Sequence, residues 1–512
     1  MIRLVRQPTT YLVLACILLL AHAFYYASLL DFDAVDDAYI SFRYARNAAR
    51  GDGLTFNVGE RRVEGYTNFL WTVMLIPAFW LGLPARIASL LLGILWALGG
   101  VLLVWRFSRE VGAPPWLGSI AAFLLAADGS YALWAVGGLE APLFATLVLA
   151  GALSYLRELR DERRAPLSGL WFALATMARP EGLLVYALTG VHQVATRLIS
   201  ARRPAGRRLA TRQDWQRLAL FAALFLPWFA FRWRYYGYPL PNTFYAKVTL
   251  GDTAAQRARG LAYVSTFARI HLGYLTVPLV LLPLLRRRWR AWASYLLLVI
   301  AGYTAYIAYV GGDWSVGRFF VPLLPLFCLL LSSGLAVLGG WLHTWLRARR
   351  AIAAWAPRAI APLAVLALGG SLFASSSLYG EKALYLDPFD ARLAGQARTQ
   401  MGLWLRDHVP EDTYIAVDAA GQMPFYSDLR ALDLYGLNDL TIAHSQVETM
   451  GEGTPGHEKM DMNYILFTAQ PDYIIIYGTA FDWLAAYGYE RVDLPWTEDP
   501  ALKGFLGVYR RQ

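Results

Sequence analysis

Apolar runs long enough to cross a bilayer recur between residues 10 and 378, and the arginines gather in short knots between them. No water-soluble fold tolerates that alternation, because it would leave sheets of hydrocarbon in water. Within a bilayer every backbone N–H and C=O must find a partner inside the protein, so the runs are read as helices. Hydrophobic residues make up 57% of the 512, which sets the chain among polytopic membrane proteins with the lipid bilayer as a partner. A formal net charge of +10 would suit nucleic acid if it covered one face. The arginines instead occupy inter-span loops, as cytoplasmic loops do, and no nucleic-acid partner is expected. Cys16 and Cys328 both lie in apolar runs and have neither the number nor the placement for a disulfide framework or a zinc site.

Arg3 and Arg6 precede an apolar run from Tyr11 to Leu30. It is too long for a secretory leader and no small-residue cleavage site precedes Asp31, so a retained signal anchor is expected. With arginine knots placed inside, spans follow over 10–30, 86–105, 116–131, 139–156, 167–178, 181–196, 218–232, 272–285, 291–310, 319–342 and 359–378, about eleven crossings. The run at 67–83 is short and contains Pro77, which predicts an interfacial or re-entrant helix within the first outer loop, 31–85. A long outer loop joins 232 to 272. Beyond residue 378 the chain becomes richer in Asp, Glu and Gly, with no further run able to span. Residues 379–512 therefore read as a separate extracytoplasmic domain of α/β type. Helical periodicity covers 391–407, while TYIAVDA, LRALDLYG, PDYIIIYG and GFLGVYRR read as short buried strands.

The polar side chains sort to one side of this topology. Asp36, Asp37, Arg43, Arg46, Asn47, Glu64, Tyr66, Thr67 and Asn68 fall in the first outer loop, and Asp128, Glu140, Arg179, Glu181, Asn242, Tyr245, Lys247, Asp313 and Arg318 at later outer turns. Acids and bases concentrated at one interface point to a single polar cavity opening outward. Taken singly, each can equally cap a helix or make a surface ion pair. In DDAYISFRYARN, one acid suffices to cap a helix starting near Ala38, with Arg43 on the same face as Asp36. Two acids exceed what a cap requires. The second is suited to take a proton from an acceptor hydroxyl, and cations such as Arg179, Lys247 and Arg318 suit an anionic leaving group, phosphate above all.

DDAYISFRYARN, GLTFNVGERRVEGYTNFLW, GGLEAPLF, MARPEG, YYGYPLPNTFYAK and GGDWSVGRFFVPLLPL together resemble the GT-C superfamily of glycosyltransferases that use lipid-linked sugars. Within it the chain is most similar to the terminal arabinofuranosyltransferases of mycobacterial cell-wall arabinan and their bacterial relatives. The resemblance continues through VDAAGQMPFYSDLRALDLYGLND and PGHEK. It implies an inverting transferase of the bacterial cytoplasmic membrane, with residues 1–378 as catalytic transmembrane domain. The sugar, arabinofuranose by the nearest likeness, would pass from a polyprenyl phosphate such as decaprenylphosphoryl-arabinose to an acceptor glycan or glycoconjugate on the extracytoplasmic face. The first-loop acid would be the base, Asp36 in preference to Asp37. Lys247, Arg179, Arg318 and Arg43 are the candidates for the donor phosphate. Glu64, Tyr66, Asn68, Glu140, Glu181, Asn242, Tyr245 and Asp313 are the candidates for sugar and acceptor.

Alternatives stand beside these roles. Glu64 can answer Arg61 and Arg62, Arg179 and Glu181 can simply hold the turn at Pro180, Lys247 can snorkel to headgroups, and Asp313 can pair with Arg318. His444 and His457 lack ligand spacing and read as ordinary surface or core residues. A divalent metal would need Asp36, Asp37 and an acid such as Glu64 to gather; the cations can hold phosphate without one, and no metal is assigned. Relatives of the same fold transferring mannose or another sugar to protein or lipopolysaccharide share the first-loop acids. A transporter or flippase would show repeated halves and midplane ionisable groups, and neither is found. A non-catalytic scaffold for envelope assembly is the remaining alternative.

Overall fold

The computed structural model describes residues 8–201, 210–248, 254–315, 317–348, 356–375, 388–447, 450–478 and 481–512. Arg3, Arg6 and the expected domain boundary at 378/379 lie outside the described residues. Helix α1 (Pro8–Leu29) leads into α2 (Asp36–Arg50), α3 (Phe69–Trp80), α4 (Ala85–Glu110), α5 (Pro115–Ala126), α6 (Gly129–Val136) and α7 (Ala141–Arg160). Then come α8 (Ser168–Ala178), α9 (Gly182–Ala201), α10 (Arg212–Tyr236), α11 (Asn242–Lys247), α12 (Ala254–Ile270), α13 (Gly273–Leu281), α14 (Arg290–Tyr309), α15 (Leu324–Ala348) and α16 (Ala356–Phe373). The chain is a polytopic α-helical membrane protein. Among the described residues, five helical segments are long and apolar enough to span, or seven if two bent pairs count as one span each. Helix length and apolarity thus support fewer spans than the eleven expected, because α8 is short and α10 carries several charges.

Two expected features take a different form. The span expected over 116–131 is broken into α5 and α6, bent by 64°, where Asp128 caps α6 by accepting the Tyr131 N–H at 3.0 Å. The long loop expected between 232 and 272 is largely helical: α12 bends by 87° into α13 at Leu272, a residue at φ +51°. Asp128 and His271, one at each break, are joined at 2.8 Å. A buried ionisable pair thus ties the two bends to each other, and a hydropathy scan averages over such a pair.

The C-terminal part opens with α17 (Pro388–His408) and carries strands β1 (Tyr414–Val417), β2 (Arg430–Asp433), β3 (Tyr473–Tyr477), β4 (Tyr489–Arg491) and β5 (Leu506–Arg511) in the order β2-β1-β3-β5-β4. β1 pairs in parallel with β2 and β3, and β5 runs antiparallel between β3 and β4. Four of these strands match the four expected runs. β4 is only three residues long, and its YER sequence gives no apolar alternation to detect. The two-residue period of β3 decides what each face covers. Ile474 and Ile476 pack with Ala416, Leu432, Ile442 and Ile465, whereas Tyr473 and Ile475 face a core shared with Met401, Ile40, Tyr44 and Phe56.

The sheet domain thus shares part of its core with the chain that follows α1. Ile40, Tyr44, Phe56 and Tyr66, from the segment between α1 and α4, join the core on one face of the sheet. Polar contacts along α2 complete the union, since positions 36, 39, 43, 46 and 50 follow helical spacing. The Arg43 guanidinium donates to the carbonyls of Phe56 and Leu429, each at 2.7 Å, and to that of Pro424, with Asn57 Oδ1 at 3.2 Å. Arg46 and Arg50 both reach Asp428, at 2.5 and 2.7 Å. At the head of α2 the fit leaves no room: a Cβ on Gly421 would stand 1.9 Å from the Asp36 carbonyl oxygen and 2.7 Å from its Oδ2. Gly421→Ala is expected to cost about 1–3 kcal/mol, the usual range for overpacking. Faster hydrogen exchange in α2 and in 421–427 would register it, while wild-type exchange in both would show that this contact does not hold the domains together.

Candidate active site

Asp36 and Asp37 occupy the first turn of α2, but neither caps it. Val35 is the N-cap and makes no side-chain capping bond. The capping role expected for one acid is thus corrected, and the reason is that both carboxylates are engaged elsewhere. Asp36 accepts the N–H of Gly421 at 3.0 Å on Oδ2 and that of Gln422 at 2.9 Å on Oδ1. These N–H groups open the short helix Gln422–Ser427, so the acid serves the other domain's helix end. Asp37 turns the opposite way: its Oδ2 accepts from Arg318 at 2.8 Å and from the Trp314 indole at 3.2 Å. Arg318 is held in turn by a two-pronged contact with Asp313, at 2.5 and 2.8 Å.

A cavity of about 1320 Å³ lies between the membrane part and the sheet domain, and both acids line it. Lys247, at the end of α11, lines it too, and its ammonium makes no hydrogen bond or ion pair with a described residue. Trp314, His457, Tyr435 and Asp418 complete the wall around them. Burial raises the Asp36 carboxyl above its ordinary value, with the Asp37 charge adding to the effect and Arg398 and the Gln422 N–H opposing it. For Asp37 burial also works against ionisation, but Arg318 and Lys247 outweigh it and hold the carboxyl down at about 2. Burial likewise lowers Lys247, against the pull of Asp313 and Asp37. The neighbouring acids thus have opposite characters, one reluctant to ionise and one fixed as an anion.

The other expected site residues lie outside this wall. Arg43 is the strut described above, with its donors committed to backbone carbonyls. Glu64 is buried and paired with Arg232 at 2.6 Å, not with Arg61 or Arg62. The gathering of Asp36, Asp37 and Glu64 that a divalent ion would need is not formed, and the described residues contain no group of three metal-ligating acids, histidines or cysteines. Tyr66 shares a hydrogen bond with Tyr236 at 3.0 Å. Asn242 donates to the carbonyls of Gly436, Leu437 and Asp439, and Tyr245 stacks on His444 with ring centres 4.4 Å apart. Asn68, Glu140, Arg179 and Glu181 form one buried chain: Asn68 donates to Glu140 at 2.7 Å, and Arg179 binds Glu140 at 2.7 Å and Glu181 at 2.8 Å. Arg179 and Arg318 flank the Phe319 ring at 5.0 and 5.9 Å, so this chain supports the segment that positions Arg318.

Sequence reasoning missed the sheet domain's share of the wall. His457, read as ordinary, packs edge-on against Tyr435 with ring centres 4.7 Å apart and lies close enough to Asp37 and Lys247 to feel both charges. The available signal was that the C-terminal likeness falls in the stretches containing Asp418, Gln422, Tyr435 and His457.

Comparison with known proteins bears on this arrangement. Residues 390–505 match a family described only as a domain of unknown function, DUF8728. The terminal β-(1→2)-arabinofuranosyltransferase of Mycobacterium tuberculosis is 32% identical over 348 residues, 58% of this chain and 52% of that protein. The chain thus spans about half the length of the curated relative it matches. Among solved structures, ArnT from Cupriavidus metallidurans bound to undecaprenyl phosphate superposes with a TM-score of 0.62 at 15% identity, covering 96% of this chain and 97% of the other. The archaeal oligosaccharyltransferase AglB from Archaeoglobus fulgidus, in complex with an inhibitory peptide and a dolichol-phosphate, gives 0.54 at 14% identity, covering 92% and 69%. The chain has the GT-C fold that its motifs implied, with a small sheet domain at its C-terminus.

Proposed function

We propose that this protein is an inverting membrane glycosyltransferase that moves a sugar from a polyprenyl phosphate to an acceptor glycan or glycoconjugate at the extracytoplasmic face. One observation carries the reading: two acids of opposite character line a cavity that also presents the Lys247 ammonium, which pairs with no described residue, with Arg318 fixed against one of the acids. The curated relative's name supports arabinofuranose as the sugar, and a lipid phosphate in the ArnT structure supports the class of donor. Decaprenylphosphoryl-arabinose is the donor to test.

In the proposed step the acceptor hydroxyl gives its proton to the Asp36 carboxylate as its oxygen bonds to the anomeric carbon. The bond from that carbon to the phosphate oxygen breaks on the opposite face, and polyprenyl phosphate leaves with the electron pair. Phosphate departs as a stable anion, so the demand is for cations, met by Lys247 in the cavity wall and, from behind Asp37, by the field of Arg318. Asp36 suits the base because its raised pKa increases its appetite for a proton, and two backbone N–H groups fix its direction. Asp37 is spent on Arg318 and Trp314 and orients the cationic side of the pocket. The test is transfer by the purified full chain from decaprenylphosphoryl-arabinose to an arabinofuranoside acceptor, with the new linkage read by NMR. A product that keeps the donor's anomeric configuration sinks the single-displacement scheme.

A pH prediction follows. The acid limb of the kcat/KM profile is expected above 3.8, the ordinary value from which Asp36 is raised, because protonation there removes the base. Asp37 is depressed, so its stabilising pair is complete above 3.8 and is lost only as pH falls through about 2. The limb should therefore survive in Asp37→Asn. A limb that vanishes with Asp37 and persists without Asp36 would reverse the assignment.

A further inference from the structure

Two buried side-chain oxygens in the sheet-domain wall of the cavity have no hydrogen-bond partner among the described residues. Gln422 is 1% exposed and lines the cavity. Its Nε2 is directed at Asp33 Oδ2, 3.2 Å away, and at Thr399 Oγ1, 3.4 Å away, while Oε1 is buried without a partner. Asp418 shows the same division: Oδ2 accepts the Tyr477 N–H at 2.7 Å, and Oδ1 is buried and unpartnered. Leaving such groups unpaired is costly, and pairing them needs something that donates. Both atoms can only accept. A phosphodiester or carboxylate at neutral pH has no proton to offer them. A hydroxyl-rich molecule offers several donors at once.

Gln422 also touches the proposed base through its backbone, since its N–H is 2.9 Å from Asp36 Oδ1. One residue of the cavity wall therefore sets the direction of the base and carries a buried, unpaired side-chain oxygen. Resting on the transferase reading above, we infer that Gln422 and Asp418 form the acceptor subsite, in which they accept hydrogen bonds from hydroxyls of a neutral polyol and turn its nucleophilic hydroxyl towards Asp36. The donor phosphate is thereby assigned to the Lys247 and Arg318 side and the acceptor to the sheet domain. Specificity for the acceptor would then reside in the sheet domain.

The experiment compares the wild-type chain with Gln422→Met and Asp418→Asn in lipid nanodiscs, using decaprenylphosphoryl-arabinose and a neutral octyl arabinofuranoside. It reads transfer to the glycoside against transfer of the same sugar to water. The ratio of transfer to hydrolysis is expected to fall about tenfold in each variant, the equivalent of one hydrogen bond. A role confined to folding or to the base lowers both rates together and leaves the ratio at the wild-type value, and that result overturns the inference. A second measurement uses acceptors lacking single hydroxyls: one of them should be penalised by the wild type and indifferent to Gln422→Met. If every deoxy acceptor loses equally in both proteins, Gln422 does not read a hydroxyl. If the wild type neither transfers nor hydrolyses, the transferase reading itself fails, and the subsite with it.

Discussion

Asp36→Asn is expected to lower transfer by about 10²- to 10⁴-fold, the range that a positioned general base contributes. Asparagine keeps the size of the side chain but cannot take the acceptor's proton. It also sets an NH2 group against the Gly421 and Gln422 N–H donors, so some of the loss could come from a shifted loop. Gly421→Ala separates the two effects, since it strains the same contact and leaves the carboxylate in place. Asp37→Asn is the companion. It removes one anchor of Arg318 and should act mainly on the donor KM. Turnover in Asp36→Asn equal to that of the wild type ends the base assignment, and equal loss in both variants with equal donor KM ends the division of roles between them.

Arg179→Met is expected to destabilise the membrane part by about 3–5 kcal/mol, the cost of breaking a buried ion pair from one side. Arg179 binds two carboxylates, Glu140 and Glu181, and all three side chains are at most 9% exposed. Removing the guanidinium leaves both acids buried without a counter-charge. Thermal unfolding in nanodiscs reads the loss. The triple variant Arg179→Met with Glu140→Gln and Glu181→Gln should recover most of it, because amides need no counter-charge. If the triple is no more stable than the single variant, Arg179 stabilises by packing on Phe319 and not by charge. The same experiment checks whether this chain positions Arg318. If it does, donor KM rises in the single variant and falls back in the triple.

Several elements were legible because their signals are local. α2 was read as a helix from the spacing after Asp36, and β1, β2, β3 and β5 from short apolar runs between Gly, Pro and Asp. The pairings of Arg179 with Glu181 and of Asp313 with Arg318 were foreseen as options, since their partners lie two and five residues apart. Glu64 was matched with the wrong arginines because its partner, Arg232, is 168 positions away. The bends at Asp128 and Leu272 were hidden for the same kind of reason. Each depends on a partner at the other break, and hydropathy reports only whether a run is apolar.

The sequence by itself determined that the chain is a membrane protein, that a sheet domain follows the spans, and that two adjacent acids stand at the head of the helix after the first span. Those features depend on composition and on periods of two and 3.6 residues, which are properties of neighbouring positions. The tertiary structure alone decided what each acid contacts. Asp36 and Asp37 are one peptide bond apart and equivalent in the sequence. Folding turns one towards two backbone N–H groups of a distant helix end and the other towards a guanidinium, and burial between the domains makes those neighbours count. Charges in a low-dielectric cavity are set by what surrounds them at a few ångströms, and those surroundings come from segments 386 residues downstream for Asp36 and 281 for Asp37.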